Sequence, residues 1–450
     1  MSLTPVQVAA PGTQRAQRYS ALVALVTLTV FFNLAFPKAG FYVKGVPFTL
    51  GYGLLAVSAV AALLSVRRGI VRLGRPVLIA SGLLLAFGVF SGVSVLLVGR
   101  ATGVVDVITF FVSALLVPLL ALVVGSAFVQ AVPLRAQFRV LLVSAIVVSV
   151  FGLLSFAAIN LTRHNVGIPF ITVTGPHLDA IFLKNNDRGG LMKMVSTYNN
   201  GNILGVNLLL WLPLLVGLAG SWRPLWLLRP LLLFTLSRTV WIGWLVFEGL
   251  APFLRQRFKP AVIAAALSVL VAAAGCVLIT RAFSGNASGF LFDPTLGQRA
   301  GQVTSLIPAV KVAPAVTSKA PGAASAQVNP AGATASGSAK AAPVRSSVLW
   351  PRAFSGIREI VYASILRNFG LVGLLLFIFA WAYPLVAASG GPLTSWARLG
   401  LGLYLLLMLS DGAFALVPTQ FVYWFAAAMA LTPSSSRPQP TARAGVLNAR

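Results

Sequence analysis

Acidic side chains are scarce in this sequence: seven Asp and Glu residues stand against 34 Lys and Arg residues in a chain of 450. So few carboxylates leave no Asp-x-Asp pair, no EF-hand loop and no carboxylate cluster of the kind that holds a divalent cation. The one cysteine, Cys276, lies in an apolar run, which excludes an intramolecular disulfide and a thiolate zinc site. Chemistry on a charged substrate is therefore expected to depend on basic groups, with no metal and no cofactor.

Charge of either sign is also rare, at 9% of residues, whereas soluble domains carry roughly 25%. Hydrophobic residues make up 58% of the chain, and a water-soluble globule of this size could not cover its surface with so few charges. The net charge of +27 is spread in small groups between apolar runs. That pattern is typical of membrane topology signals, not of a nucleic-acid-binding face. The composition predicts a polytopic membrane protein.

Apolar runs of about 20 residues, the length that crosses a bilayer, recur along the chain. They predict an all-α protein of about 12 transmembrane helices with two long periplasmic loops. Leu225–Leu236 is a short run, tolerable as a span only if its ends are buried in protein. The predicted segments are a cytoplasmic tail 1–19, helices 1–5 in 20–159, a periplasmic loop 160–201, helices 6–9 in 202–279, a large periplasmic loop 280–368 with a flexible insert 309–342, helices 10–12 in 369–431, and a cytoplasmic tail 432–450.

The positions of Arg and Lys fix the expected orientation. When the N-terminus is placed in the cytoplasm, most basic residues of the short loops fall on the cytoplasmic side, including the group Arg67, Arg68, Arg72 and Arg75. Short loops obey the positive-inside rule best. Both termini are therefore expected in the cytoplasm.

The two long outer loops carry a basic excess that the orientation rule does not explain, because long loops escape that rule. Arginine binds phosphate in a bidentate manner, and such contacts strengthen beside a low-dielectric boundary. The excess predicts an anion-binding surface for a lipid-linked phosphate or diphosphate, and contact with anionic lipid headgroups is the alternative. The basic residues of these two loops are Arg163, Lys184, Arg188, Lys193, Arg281, Arg299, Lys311, Lys319, Lys340, Arg345, Arg352, Arg358 and Arg367.

Two segments at the predicted outer membrane edge carry further polar candidates. In Leu191–Val206, the amides of Asn199, Asn200 and Asn202 could hydrogen-bond sugar hydroxyls, and helix capping with Gly201 in the turn is the alternative. Arg238 follows Ser237 between two apolar runs. A charge at membrane depth indicates function, whereas a snorkelling interfacial Arg is the alternative.

Glu359 is a carboxylate set among arginines, in the stretch that leads to the next span. In a helical Arg358–Arg367 segment, Glu359 and Tyr362 would share a face. The carboxylate could deprotonate a hydroxyl, or it could serve only as an ion-pair partner for the neighbouring arginines.

Four elements between Lys184 and Gly373 resemble, in their order and membrane placement, those of the O-antigen ligase and Wzy-type polysaccharide polymerase superfamily. The family pattern runs roughly Arg-x-x-Gly-Thr-Phe-x-Asn-x-Asn before a middle span, and a Ser-Arg pair ends the short span that follows. The large outer loop opens with Thr-Leu-x-x-Arg and closes with His-Asn-x-Tyr-Leu before Gly-Leu-x-Gly. The matching residues are Lys193, Ser196, Thr197, Tyr198, Asn200, Asn202, Ser237, Arg238, Thr295, Leu296, Arg299, Tyr362 and Gly370 to Gly373.

One departure from that pattern favours the polymerase branch, and a second changes the expected phosphate ligand. Glu359 stands eleven residues before Gly370, where ligases carry their catalytic His. Lys193 replaces the leading Arg of the first element, so Arg188 is expected to take over the bidentate phosphate contact.

The resemblance implies a GT-C-like membrane glycosyltransferase of the bacterial inner membrane. It would polymerise undecaprenyl-diphosphate-linked oligosaccharide repeat units on the periplasmic face, without a metal and with inversion, in lipopolysaccharide O-chain, capsule or exopolysaccharide synthesis. Donor and acceptor are both lipid-linked, and a flippase and chain-length regulators are the implied protein partners, with no nucleic acid. The expected roles are Glu359 as catalytic base, Arg188, Lys193, Arg238, Arg299 and Arg358 as diphosphate ligands, and Asn199, Asn200, Asn202 and Tyr362 as sugar ligands.

Three other functions stay open from the sequence. One is a structural membrane scaffold, although its long loops would have no need for a basic pocket. An O-antigen ligase would use the same donor but transfer its glycan to lipid A core. A transporter or flippase of lipid-linked oligosaccharide is the alternative without catalysis, although such a protein would more often place polar groups along the middle of its spans.

Overall fold

A computed structural model of the chain describes residues 11–43, 46–98, 104–163, 166–172, 186–188, 191–198, 200–221, 223–254, 258–284, 360–387, 392–409, 412 and 416–433. Within these ranges the chain is mostly helical, as the sequence predicts. Seven of the described helices are long and apolar enough to cross a membrane, and three shorter apolar helices accompany them.

The described residues between 11 and 163 form six α-helices and one short hairpin. A π-helical turn, Val112–Leu116, joins α4 to α5. Strands β1 and β2 pair antiparallel, with Gly40 opposite Thr49. The bounds are α1 Pro11–Ala35, β1 Gly40–Val43, β2 Val46–Thr49, α2 Leu50–Arg67, α3 Arg75–Val98, α4 Val104–Phe111, α5 Val117–Ala131 and α6 Leu134–Thr162.

The described residues from 186 to 433 add seven α-helices and a second, very short antiparallel strand pair. Single 3-10 turns lie at Ser196–Tyr198 and Ala251–Leu254. The bounds are β3 Asp187–Arg188, β4 Leu191–Met192, α7 Gly201–Ala219, α8 Arg223–Phe234, α9 Arg238–Leu250, α10 Phe258–Ser284, α11 Val361–Ala387, α12 Pro392–Leu407 and α13 Val417–Leu431.

Helices α7 and α13 form the centre of the bundle. Every residue from Ile203 to Val216 and from Pro418 to Leu431 is buried. A helix that is apolar on all sides belongs inside a protein or a membrane. By contrast, α3, α10 and α11 leave many Leu, Ile and Val side chains exposed, as lipid-facing helices do. The core therefore lies along α7 and α13.

Hydrogen bonds between helix ends show which of these ends lie together on each of two opposite faces of the bundle. On one face, the Tyr19 hydroxyl donates to the carbonyl of Ala131 (2.8 Å), and the Thr432 hydroxyl lies 3.1 Å from that of Ser126. The first and last apolar helices thus have their chain-terminal ends against the end of α5. The other face, called the Lys193 face below, gathers the end of α1, the end of α6, the start of α7 and the α8–α9 turn.

Helices α8 and α9 are short, at 12 and 13 residues, and are joined by a tight turn. The sequence predicts that this short run can span a membrane only if both of its ends are buried. The end at the turn is buried, at Thr235, Leu236 and Ser237, whereas Arg223 at the start of α8 is exposed. Leu236 has a φ of 47°, in the left-handed region. Protein therefore covers the polar backbone of this turn.

Helix α11 begins at Val361, upstream of the predicted span start at residue 369, and it is broken near that predicted start. Gly370 has φ 69° and ψ −173°, a conformation that only glycine adopts readily. The break divides α11 into a short leg, Val361–Phe369, and a longer leg that ends at Ala387. The Val361 N–H donates to the carbonyl of Met408, which holds the short leg against the end of α12.

Candidate functional site at the start of α7

Lys193 and Asn202 form the centre of the candidate site. The Lys193 ammonium donates to the Asn202 Oδ1 at 2.9 Å, although nine residues separate them along the chain. Lys193 is 1% exposed, so its charge is almost fully removed from solvent. A buried cation needs compensating hydrogen bonds, and the Asn202 amide supplies one of them. Two residues that the sequence predicts for ligand binding are thus directly joined.

Gly201 lets the start of α7 pack closely against the Lys193 segment and the α8–α9 turn. A Cβ at this position would lie 2.9 Å from the Lys193 Cβ and 2.9 Å from the Thr235 carbonyl oxygen, closer than real Cβ contacts. Asn186 completes the packing, because its backbone carbonyl accepts from the Lys193 N–H (2.8 Å) and its Oδ1 accepts from the Gly201 N–H (3.2 Å). The position of Lys193 is therefore set by main-chain contacts.

Asn200 caps α7. Its Oδ1 accepts from the N–H groups of Asn202 (2.8 Å) and Ile203 (3.4 Å), which have no partner inside the helix. The capping interpretation of this residue is confirmed, and its predicted sugar contact stays a prediction.

The 3-10 turn Ser196–Tyr198 fixes this segment to two other helices. The hydroxyls of Thr197 and Tyr198 donate to the carbonyls of Ala35 (2.7 Å) and Leu34 (2.8 Å) at the end of α1. The Ser196 hydroxyl donates to the carbonyl of Val148 in α6 (2.7 Å). Burial raises the pKa of Tyr198 above its ordinary value, so this phenol remains a neutral donor. In this chain the Ser-Thr-Tyr element is a structural anchor.

Arg238 lies close to the Lys193 segment through the α8–α9 turn. The Met194 N–H donates to the carbonyl of Phe234 (2.9 Å), and Gly205 in α7 packs directly against Val240 in α9. Arg238 is the first residue of α9 and is half-buried, and the Ser237 side chain makes no capping hydrogen bond. The starts of α7 and α9 and two basic residues therefore converge at one place.

We expect two helix starts and two basic residues at one place to favour a positive electrostatic potential. Helix starts carry a partial positive charge, and their N–H groups are well suited to bind phosphate. Lys193 strengthens the potential from a buried position, where charges are weakly screened. Arg238 keeps part of its surface exposed and supplies a fork for bidentate contact.

The remaining predicted residues are placed to different extents. The Arg188 backbone pairs with Leu191 just before Lys193, and its side chain lies outside the described part of the structure. Asn199, Arg299, Arg358 and Glu359 lie outside the described residues.

Tyr362 lies in the short leg of α11, against α12. Its hydroxyl donates to the carbonyl of Leu405 (2.8 Å). It borders an otherwise apolar cavity of about 230 Å³ lined by Tyr362, Phe377, Ile378, Trp381, Ala382 and Leu405. The described contacts join Tyr362 to α11 and α12 and not to the Lys193 segment, so its sugar contact stays a prediction.

The sequence reasoning overlooked one buried ion pair. The carboxylate of Glu248 in α9 accepts two hydrogen bonds from Arg229, from Nε (2.8 Å) and from Nη2 (2.9 Å). It also accepts one from the Trp244 indole N–H (2.9 Å). Glu248 is 1% exposed. The signal was present, because Glu248 is an isolated acid inside an apolar run.

Asn160, near the end of α6, was also overlooked. Its Oδ1 accepts from the Met192 N–H (2.8 Å) and its Nδ2 donates to the Met192 carbonyl (3.3 Å), so it pairs with β4 as a strand would. This two-way contact holds the residue that precedes Lys193. An Asn in the last turn of an apolar helix, directly before a polar loop, is the sequence signal.

Comparisons with known proteins add no relative. No protein-family model matches the chain, and neither curated proteins nor solved structures give a significant match. Function is therefore argued from the motif residues and from the geometry of this site.

Proposed function

We propose that the protein is a membrane glycosyltransferase that polymerises undecaprenyl-diphosphate-linked oligosaccharide repeat units. The observation that carries the proposal is the convergence of Lys193, Arg238 and the starts of α7 and α9 on the Lys193 face. An electropositive site at the end of an apolar bundle suits a ligand that has a phosphorylated head and a hydrocarbon tail. Polyprenyl diphosphates have this chemistry.

The proposed reaction is a single displacement at the anomeric carbon of the donor glycan. A hydroxyl of the acceptor repeat unit forms the new C–O bond, its proton passes to Glu359, and the bond to the lipid diphosphate breaks with inversion. Negative charge develops on the departing diphosphate. Preorganised cations lower the barrier by stabilising that charge, so no metal is required. Arg188, Lys193, Arg238, Arg299 and Arg358 are the proposed cations, and Asn199, Asn200, Asn202 and Tyr362 the proposed sugar ligands.

The proposal also includes the finer topology. Twelve spans would place the Lys193 face in the periplasm and both termini in the cytoplasm of a bacterial inner membrane. The N-terminal part of α1 and the C-terminal end of α13 both lie against the end of α5, which supports the placement of both termini on one side of the membrane. The basic residue Arg67 ends α2, and Arg68 and Arg72 follow it near that same end, where Gln130 hydrogen-bonds the Arg72 backbone.

Chain-length analysis of the cell's polysaccharide tests the proposal. A deletion strain should lose long chains, and the unaltered gene should restore them. Arg238→Ala and Glu359→Gln should each lower the polymerisation rate of purified protein by about 10² to 10³, as the loss of an oxyanion donor does. Arg68→Ala is the matched control, since Arg68 is exposed at the opposite end of the bundle. It should retain full activity.

Two outcomes would overturn the proposal in different ways. Long chains in the deletion strain would exclude a polymerase, and normal long chains from both variants would refute the site. The other functions have their own signatures in vesicles that contain lipid-linked repeat units. A ligase would extend lipid A core but not a second repeat unit, and a transporter would move the glycan across the bilayer without forming a bond.

A further inference from the structure

Lys38 lies in a turn that directly follows α1, on the Lys193 face. The Ala39 N–H donates to the carbonyl of Phe36 (3.0 Å), which closes the turn, and the Leu50 N–H donates to the carbonyl of Ala39 (2.9 Å). The preceding carbonyls, of Leu34 and Ala35, accept from the 3-10 turn that follows Lys193. Lys38 is thus held next to the segment that positions Lys193.

The Lys38 ammonium is partly desolvated and contacts no compensating partner among the described residues. The side chain is half-buried, and burial lowers its pKa. No carboxylate or hydrogen-bond acceptor of the described residues contacts it. The last carbonyls of α1, which could have accepted from a lysine at this end of the helix, are already used by Thr197 and Tyr198. A cation in this setting lowers the stability of the ligand-free fold.

The surroundings of Lys38 favour a ligand with an apolar part. Phe41, in β1, is 43% exposed, and Leu50, at the start of α2, is 38% exposed. Large apolar side chains that flank a cation at the end of a transmembrane bundle are typical of the level where lipid tails meet headgroups. A free anion would gain nothing from Phe41 and Leu50, whereas a phospholipid or polyprenyl phosphate would contact all three residues.

We propose that Lys38 is the phosphate ligand of a lipid-binding site, with Phe41 and Leu50 in contact with the lipid tail. The site lies beside the Lys193 segment but shares none of its proposed ligands. Its existence does not depend on glycan transfer. The lipid phosphate could belong to a polyprenyl carrier or to an anionic phospholipid, and the experiment separates these two sources.

The experiment compares Lys38→Met, Lys38→Arg and the unaltered full chain in phosphatidylcholine nanodiscs. Lys259→Met is the matched control, because Lys259 is exposed at the start of α10, at the opposite end of the bundle. Two quantities are measured for each protein: the unfolding midpoint without added ligand, and the binding of undecaprenyl diphosphate, of phosphatidylglycerol and of inorganic diphosphate.

Lys38→Met is expected to raise the ligand-free midpoint by about 1–3 °C, because it removes an unpaired desolvated charge. It is also expected to weaken lipid phosphate binding about tenfold, with Lys38→Arg and Lys259→Met close to the unaltered chain. A residue that serves only the fold would not combine higher stability with weaker binding. Inorganic diphosphate should bind least, since it has no tail.

The results that overturn the inference are equally defined. A lower midpoint for Lys38→Met, or lipid phosphate binding equal to that of the unaltered chain, would refute it. Lys38-dependent binding of phosphatidylglycerol without binding of undecaprenyl diphosphate would support the lipid site and refute the proposed function. Lys38-dependent binding of undecaprenyl diphosphate without polymerisation would likewise leave this site intact.

Discussion

The ammonium of Lys193 and the amide oxygen of Asn202 lie 2.9 Å apart at the start of α7, in a place where solvent barely reaches the lysine. The pair has one positive charge and no negative one. Asn202 is a neutral acceptor, so this contact holds the lysine in position without cancelling its charge. Replacing that acceptor by a carboxylate would keep the geometry and cancel the charge.

Asn202→Asp is therefore expected to retain stability and to lose phosphate binding. The new carboxylate would form a buried ion pair with Lys193 and lower the positive potential at the helix start. Asn202→Ala should instead destabilise the fold, because it removes the acceptor of a buried cation. Thermal unfolding together with undecaprenyl diphosphate binding separates the two effects. Equal phosphate affinity for Asn202→Asp and the unaltered chain would argue against an anion site here.

Asn200 provides a test that separates capping from sugar binding. Asn200→Ala should cost about 1 kcal/mol of stability, the usual loss for an N-cap residue, whereas Asn200→Asp and Asn200→Ser preserve the cap. If the amide also binds sugar through its N–H groups, both cap-preserving variants should raise the KM for the glycan at unchanged stability. An unchanged KM in both would leave Asn200 with the capping role alone.

The Arg229–Glu248 pair should contribute to stability in an asymmetric way. Glu248→Gln leaves a partly buried guanidinium without its counter-ion, at an expected cost of about 2–3 kcal/mol; fully buried pairs lose more, and Arg229 retains some exposure. The double variant Arg229→Met with Glu248→Leu should recover most of that loss. Denaturant unfolding in one detergent checks both. A double variant as unstable as Glu248→Gln would contradict this account.

Gly370 should resist substitution because of its backbone. Gly370→Ala would place a side chain at φ 69°, ψ −173°, at an expected cost of about 1–3 kcal/mol. Relief of that strain would straighten α11 and displace the short leg that carries Tyr362. The control is Gly402→Ala in α12, where a Cβ meets nothing closer than 4.0 Å. Comparable midpoints for the two variants would show that the break at Gly370 is not fixed.

Helix positions were largely predictable, because apolar run length is a local property of sequence. The predicted run Leu225–Leu236, for example, agrees with α8, Arg223–Phe234, to within two residues at each end. The count of twelve spans was less predictable, because the composition of short helices such as α8 and α9 does not distinguish a complete span from a fragment of a longer one.

Tertiary contacts were less predictable, because they join residues far apart in the chain. The polar segment before α7 could be recognised as a site from its Lys and Asn content. Nothing local indicates that Tyr198 bonds to Leu34, or that Gly201 packs against Thr235. For Glu248 the sequence does give a local signal, because an acid inside an apolar run predicts an ion-pair partner. Only the fold identifies Arg229 as that partner.

The brevity of α8 has a consequence for the surrounding bilayer. Twelve residues rise about 18 Å, well short of the ~30 Å thickness of a hydrocarbon layer. Either the lipids beside α8 and α9 are compressed, or the turn before Arg238 lies beneath the plane of the headgroups. In both cases the phosphates of a carrier lipid that reaches Lys193 would lie unusually close to the midplane of the bilayer. The protein would then favour carrier lipids whose phosphate headgroups can move below the headgroup plane of the bilayer.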